Sequence, residues 1–276
     1  ETLPGVVVRN EGGAASSDKA VDEAYDGLGA TFDFYAQVFE RNSIDNRGLP
    51  LHASVHYGHE YDNAYWDGQQ MVFGDGDGEI FNRFTIAVDV IGHELTHGVT
   101  GAEVNLQYLN QSGALNESIS DVFGSLIKQK QLNQTADKAD WLIGKGLLTS
   151  KVKGEALRSM KAPGTAYDDA VLGKDPQPGD MRKYVQTMSD NGGVHINSGI
   201  PNRAFYLAAA NIGGYAWEAA GKVWYATIRD HGLRPNASFR TFARRTLVNA
   251  GQLFGESSTQ RKAVADAWSE VGVKTI

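Results

Sequence analysis

His93 and His97 stand four residues apart in Ile91-Gly-His-Glu-Leu-Thr-His-Gly98. On a helix that spacing puts both imidazoles on one face, able to grip a single ion. Glu94 sits beside them with a carboxylate free to act as a base. The chain has no cysteine, so any metal must be held by His, Asp or Glu. A helix-borne His-Glu-x-x-His points first to catalytic zinc, although nitrogen and oxygen ligands also suit iron, cobalt or manganese. Two glutamates compete to be the third ligand. Glu103 lies six residues past His97, but a last ligand at that distance needs a Gly three residues past the second His to turn the chain back, and Thr100 stands there. Glu117, twenty residues past His97, opens a second helical run in Asn116-Glu-Ser-Ile-Ser-Asp121, and a helix, loop and helix of that length can swing it onto the ion. Asp121 follows one turn later on the same face, where it can accept the outward ring N–H of a ligand histidine. Three protein ligands leave a fourth position for a water that the ion polarises and Glu94 deprotonates. The chemistry implied is hydrolysis at a carbonyl.

These residues need a frame. Val21, Ala24, Tyr25, Leu28, Phe32, Tyr35 and Phe39 recur at three- and four-residue steps and predict a long amphipathic helix. His52–Tyr57 and Met71–Phe73 are short β-prone runs separated by the aromatic, amide-rich segment Tyr61–Gly68, and they predict a small sheet. From about Thr85 the pattern turns helical, with helices expected at 86–99, 114–130, 197–211, 215–230, 236–252 and 258–271. Lys151 to Gly193 is rich in Gly, Pro and charge with weak periodicity, the mark of functional loops. The expectation is an α+β fold of two lobes. Residues 1–101 form an N-terminal lobe of mixed sheet and helix ending in the His-Glu-x-x-His helix, residues 102–276 a mainly α-helical C-terminal lobe, and the ligand groove runs between them.

Composition narrows the function classes. The 276 residues carry 26 Lys+Arg against 33 Asp+Glu, a net charge of −7, which argues against a nucleic-acid partner. The most apolar region, Ala204 to Ile228, is broken by Asn211, Glu218 and Lys222, so no membrane span is expected. No long apolar heptad demands an oligomer, and a monomer is the default. The sequence starts at Glu1 without a visible leader, which fits either a processed precursor or a trimmed chain.

Six motifs then stand in order along nearly the whole sequence: Tyr61-Asp-Asn-Ala-Tyr-Trp66, Gly74-Asp-Gly-Asp-Gly78, His93-Glu-Leu-Thr-His97, Gly113-Ala-Leu-Asn-Glu-Ser-Ile-Ser-Asp121, Ala156-Leu-Arg-Ser-Met160 and Asn191-Gly-Gly-Val-His-Ile-Asn-Ser-Gly199. Together they closely resemble the thermolysin family of zinc endopeptidases, and the short segment before the metal helix resembles its shorter, protealysin-like members. The resemblance implies one catalytic zinc ion held by His93, His97 and Glu117, with Glu94 as general base and Asp121 and Asn116 supporting the ligands from behind. It implies that His195 and Tyr108 donate to the oxyanion and that Asp190 orients His195. It places Asn63 and Ala64 against the substrate backbone at the edge of the N-terminal sheet, and Arg158 against a substrate carbonyl. Phe81, Phe84, Val90 and Leu157 fall where the family builds an apolar pocket, so a hydrophobic residue is expected after the scissile bond.

One feature of the family is expected to be missing. Where thermolysin holds a pair of calcium ions, Asp89 and Asp140 remain acidic, but Lys128, Leu142 and Lys145 replace carboxylates. The calcium pair is therefore expected to be absent, with Lys128 or Lys145 paired to Asp89 or Asp140. Asp75-Gly-Asp-Gly78 opens like a calcium loop but lacks the later ligands, and reads as a tight turn. The family is made as secreted precursors, which implies peptide and protein substrates, an extracellular location and the enzyme's own propeptide as inhibitor. A binding protein that kept the scaffold would not require Glu94, His195 and Tyr108. An aminopeptidase would need acids near Asn63 to anchor a free α-amine, and no cluster of them is evident.

Overall fold

A computed structural model describes residues 2–275. Its first helix, α1 (Lys19–Phe39), starts at Asp18, whose side chain accepts from the Ala20 N–H, and ends at Glu40 in the left-handed region. Its buried face carries Ala24, Leu28, Phe34 and Tyr35. Gly27 lets it lie against the metal helix, because a Cβ there would meet Ile91 Cδ1 at 2.2 Å.

The small sheet has three strands, β1 (His52–Ser54), β2 (Ala64–Trp66) and β3 (Gln70–Phe73), in the order β1-β3-β2. Fully buried β3 runs parallel to β1 and antiparallel to β2, pairing Ala64 with Phe73 and Trp66 with Met71. Two expectations need correction here. The segment taken as a connection contains β2, an edge strand, because Ala64 and Trp66 turn one face inward while Tyr65 joins Tyr57 and Tyr61 in an edge-to-face cluster on the other. Strand β1 also stops at Ser54, short of Tyr57, because His56 takes φ +57°. The His56 ring then bridges Asp18 (Nε2, 2.8 Å) and Asp75 (Nδ1, 2.7 Å). The Gly74–Gly78 segment is a turn closed by Asp77, whose Oδ1 accepts from the N–H groups of Glu79, Ile80 and Phe81.

Helix α2 (Val88–Ala102) begins two residues later than expected, after a 3₁₀ turn at Phe84–Ile86, and continues three residues further. Helix α3 (Asn110–Gln131) starts four residues earlier and is buried on all sides from Ser112 to Ile127. The two pack almost backbone to backbone. A Cβ on Gly124 would lie 2.3 Å from the Asp89 carbonyl oxygen, and one on Gly92 would lie 2.6 Å from Ile127 Cδ1. At the far end of this pair the Lys128 ammonium bonds Asp89 (2.9 Å), Asp140 (3.2 Å) and the Leu142 carbonyl (2.5 Å), and Lys145 approaches Asp140 at 3.7 Å. Burial disfavours the charge on Lys128, but Asp89 and Asp140 outweigh it and raise its pKa.

The stretch expected as loops holds three short strands: β5 (Arg158–Ser159) pairs with β4 (Leu142–Ile143), which lies just before the stretch, and β6 (Asp168–Asp169) pairs with β7 (Gly173–Lys174). Beyond it lie α4 (Asp190–Asn197), α5 (Gly199–Ile212), α6 (Ala220–Ile228), α7 (Phe239–Phe254) and α8 (Thr259–Glu270). Helix α6 begins five residues later than expected, since Gly213 and Gly214 hold positive φ and residues 213–219 form turns. The core of this lobe stacks Trp224 on Trp268 with Phe205 and Phe242 edge-on. Buried Arg41 ties the lobes together by donating to the Ile44 carbonyl (2.6 Å) and to Tyr225, and by pairing with Glu103. No described helix is long and apolar enough to cross a membrane.

Candidate metal centre and active site

The α2/α3 pair brings four chemical groups to one point. His93 and His97 project from the same face of α2 with their Nε2 atoms 3.2 Å apart. Glu117, near the start of α3, reaches both, with Oε2 3.3 Å from His93 Nε2 and Oε1 3.4 Å from His97 Nε2. Glu94 stands further back, 3.9 Å from His93 Nε2. Atoms of His93, Glu94 and His97 all lie within 4.8 Å of one another, yet Glu117 is the carboxylate that comes closer to both imidazoles. Glu103, the rival third ligand, is turned away and pairs with Arg41 and Arg229.

The donor set fits a metal ion because the backs of both rings are occupied. His93 Nδ1 donates to Asp121 Oδ1 at 2.7 Å. His97 Nδ1 donates to Asn116 Oδ1 at 2.8 Å, and the Asn116 amide is oriented by its own donation to the Leu106 carbonyl. With Nδ1 of both rings occupied, the Nε2 atoms are the positions that face the Glu117 carboxylate and remain to bind an ion. Two nitrogens and one oxygen converging with a fourth direction open suit zinc.

Electrostatics agree with that reading. Burial opposes charge on His93, but Glu117 and Asp121 outweigh it and raise its pKa to about 10. Burial likewise opposes ionisation of Glu117, and the two imidazoles overcome it and hold its carboxyl well below the ordinary range. The pocket is built to retain positive charge. Asp121, fully buried, is held low by Arg158 and His93 against its burial. Arg158 forks onto it through Nε (2.7 Å) and Nη2 (2.8 Å), leaving Nη1 without a partner among the described residues. Asn202 donates to its second oxygen at 2.9 Å.

Opposite the metal face, Tyr108 and His195 close the site. The Tyr108 hydroxyl donates to Glu117 and lies 3.2 Å from His195 Nε2. Burial and the Glu117 charge raise the Tyr108 pKa, so the phenol stays protonated. Asp190 accepts from both His195 Nδ1 (2.6 Å) and the His195 N–H (2.8 Å). Asp190, Asn191, Gly192 and Gly193 all have positive φ, and a Cβ on Gly192 would collide with Asn110 Oδ1 at 2.0 Å, so this tight left-handed turn is what aims the imidazole.

The substrate-facing residues are placed around this centre. Trp66, Glu94, His97, Tyr108 and Asn116 share one cleft of about 550 Å³, which puts edge strand β2 beside the metal face. Asn63 precedes that strand with an exposed side chain, and its carbonyl is bonded by the Gly74 N–H; Ala64 is buried. Phe81 and Phe84 pack ring to ring at 5.6 Å, Val90 lies one turn before Glu94 on α2, and Leu157 precedes Arg158; Phe84 and Val90 are buried within the apolar core, and Phe81 and Leu157 are partly buried against it. Sequence reasoning missed Trp66 as a cleft wall and Asn202 as a support of Asp121. The first carried a signal, its place in the Tyr61–Trp66 motif, whereas the second is a single amide within a helix.

Comparisons with known proteins point the same way. Residues 2–101 match the family described as thermolysin metallopeptidase, catalytic domain, and residues 104–273 match thermolysin metallopeptidase, alpha-helical domain. An extracellular metalloprotease of Pectobacterium carotovorum subsp. carotovorum is 59% identical over 274 residues, covering 99% of this chain and 78% of that protein. Protease PrtS of Photorhabdus sp. (strain Az29) is 56% identical over 274 residues, covering 99% and 73%. The solved structure of the precursor of protealysin, a metalloproteinase from Serratia proteamaculans, superposes with a TM-score of 0.97 at 66% identity, covering 99% of this chain and 84% of that one.

Proposed function

Since the chain belongs to the thermolysin family of metallopeptidases, we propose that it cuts internal peptide bonds by a zinc-dependent mechanism with Glu94 as general base. The observation that carries this is the convergence of His93, His97 and Glu117 on one point with Glu94 beside them. Bound there, zinc would act as a Lewis acid toward a water and the substrate carbonyl. Glu94 takes the proton of the attacking water and passes it to the departing amine. Tyr108 turns its hydroxyl from Glu117 to the oxyanion, and His195, oriented by Asp190, donates to the same oxygen. An extended substrate adds to β2 as a further strand through Asn63 and Ala64, and Arg158 donates to one of its carbonyls. Phe81, Phe84, Val90 and Leu157 favour a hydrophobic residue after the scissile bond.

Five further readings accompany this one. The calcium pair of thermolysin is absent, because the Lys128 ammonium already sits against Asp89 and Asp140. The enzyme works outside the cell as a monomer, as the extracellular names of its relatives suggest for its location, and its own propeptide is its inhibitor, a reading supported by the precursor among its solved relatives. The lobe boundary lies between residues 101 and 102. The test is hydrolysis of an end-blocked peptide carrying Leu or Phe after the scissile bond, with and without a zinc chelator. Internal cleavage that stops with chelator and vanishes in Glu94→Ala is the expected result. Failure of the zinc-loaded protein to cut any such peptide would leave a peptide-binding scaffold as the better account.

A further inference from the structure

We infer that Gln177 is a positioning residue for His195, an inference that rests on the reading of His195 as an oxyanion donor. Asp190 grips the His195 ring and N–H from a turn of four successive left-handed residues, of which Gly192 and Gly193 are buried, and so aims the ring; the carbonyl side of His195 is held separately. The anchor lies on the other side of the residue. Gln177 Nε2 donates to the His195 carbonyl at 2.7 Å and to Ser198 Oγ at 2.9 Å.

Everything behind that amide is rigid. Gln177 is 5% exposed and stands between Pro176 and Pro178, which restrict the backbone on both sides. Its N–H bonds Asp175 Oδ1, while Asp175 Oδ2 accepts from Gly164 and Ala166. Helix α5 starts tight against the same corner, since a Cβ on Gly199 would lie 2.5 Å from the Pro178 carbonyl and 3.0 Å from Gln177 Cβ. The buried Oε1 of Gln177 has no partner, so the residue is held for its donor end. That donor end sets how far the His195 Nε2 advances toward Tyr108, 3.2 Å away.

The test uses the zinc-loaded enzyme with Gln177→Met and Gln177→Glu, both close in size and both lacking the donor. A displaced oxyanion donor predicts a kcat lower by about tenfold to a hundredfold with KM changed by less than about twofold. A phosphonate peptide, which presents a tetrahedral anion, should weaken by the same factor, and a hydroxamate peptide, which binds through metal chelation, should not. In a His195→Ala background, Gln177→Met should then add less than about twofold. Unchanged kcat in the single variants, undiminished loss in the His195→Ala background, or failure of either variant to fold would each overturn the inference. A His195→Ala enzyme with wild-type kcat would instead remove the reading of His195 on which it rests.

Discussion

Asp121 shows how much one buried carboxylate can organise. It receives His93 and Arg158 on one oxygen and Arg158 and Asn202 on the other, at zero exposure. Removing it leaves the largely buried Arg158 guanidinium and the His93 ring unheld. Asp121→Ala is expected to cost about 3–5 kcal/mol in denaturant unfolding and to weaken zinc binding about 10–100-fold in a competitive chelator titration. A zinc affinity equal to wild type would mean that His93 needs no support from behind. At this scale much of the site was legible, because His93, His97 and Glu94 sit within one turn and Glu117 and Asp121 repeat the same helical spacing. Asn202 and Gln177 were not, since a lone amide carries no pattern and its role depends on contacts 81 and 18 residues away in the chain.

Two elements set the geometry that the residues use. Glu117 reaches both imidazoles only because Gly124 lets α3 approach α2 to backbone contact. Gly124→Ala is expected to force the helices apart, lowering both the unfolding midpoint and zinc affinity; calorimetry and a zinc titration of the same variant would check that the two losses travel together. The second device is His56, half exposed between the N-cap of α1 and the Asp75 turn. A neutral imidazole has a single N–H and can donate to only one of these carboxylates, so the bridge favours the imidazolium and raises its pKa, with Asp18 the largest contributor. Arg83, paired with Glu23 nearby, adds a second positive group to the same corner. The stabilisation is complete below the unfolded value near 6.5 and fades as pH rises through the higher folded value. The gap in melting temperature between wild type and His56→Gln should accordingly be widest near pH 5–6 and shrink toward pH 9. The helices other than α4 declared themselves through periodicity, whereas α4 opens with left-handed residues, β2 hid in an aromatic run and β4 to β7, two residues each, are too short to show any period.

At the scale of the whole molecule, the candidate metal site is built by both lobes at once, since its candidate ligands come from α2 and α3 and the groove is walled by Trp66 of β2 and Tyr108. Zinc at 100 times its dissociation constant would add about 2.7 kcal/mol to stability. Chelation is expected to lower the melting temperature together with activity, and a zinc-independent melting curve would count against the site. Calcium should behave differently. With zinc held constant, a calcium chelator is expected to leave the melting temperature unchanged, whereas Lys128→Met should cost about 3–5 kcal/mol by stranding buried Asp89. Stoichiometric calcium retained after dialysis would contradict this.

The Lys128 ammonium has one more consequence. A bound ion obeys mass action, so its contribution declines whenever the surroundings are depleted of it. A charge carried on a side chain is tethered at a fixed effective concentration that dilution cannot lower. On the proposal that the calcium pair is absent, the junction of α2 and α3 is expected to draw on no external supply and to hold equally in a calcium-starved fluid and a calcium-rich one.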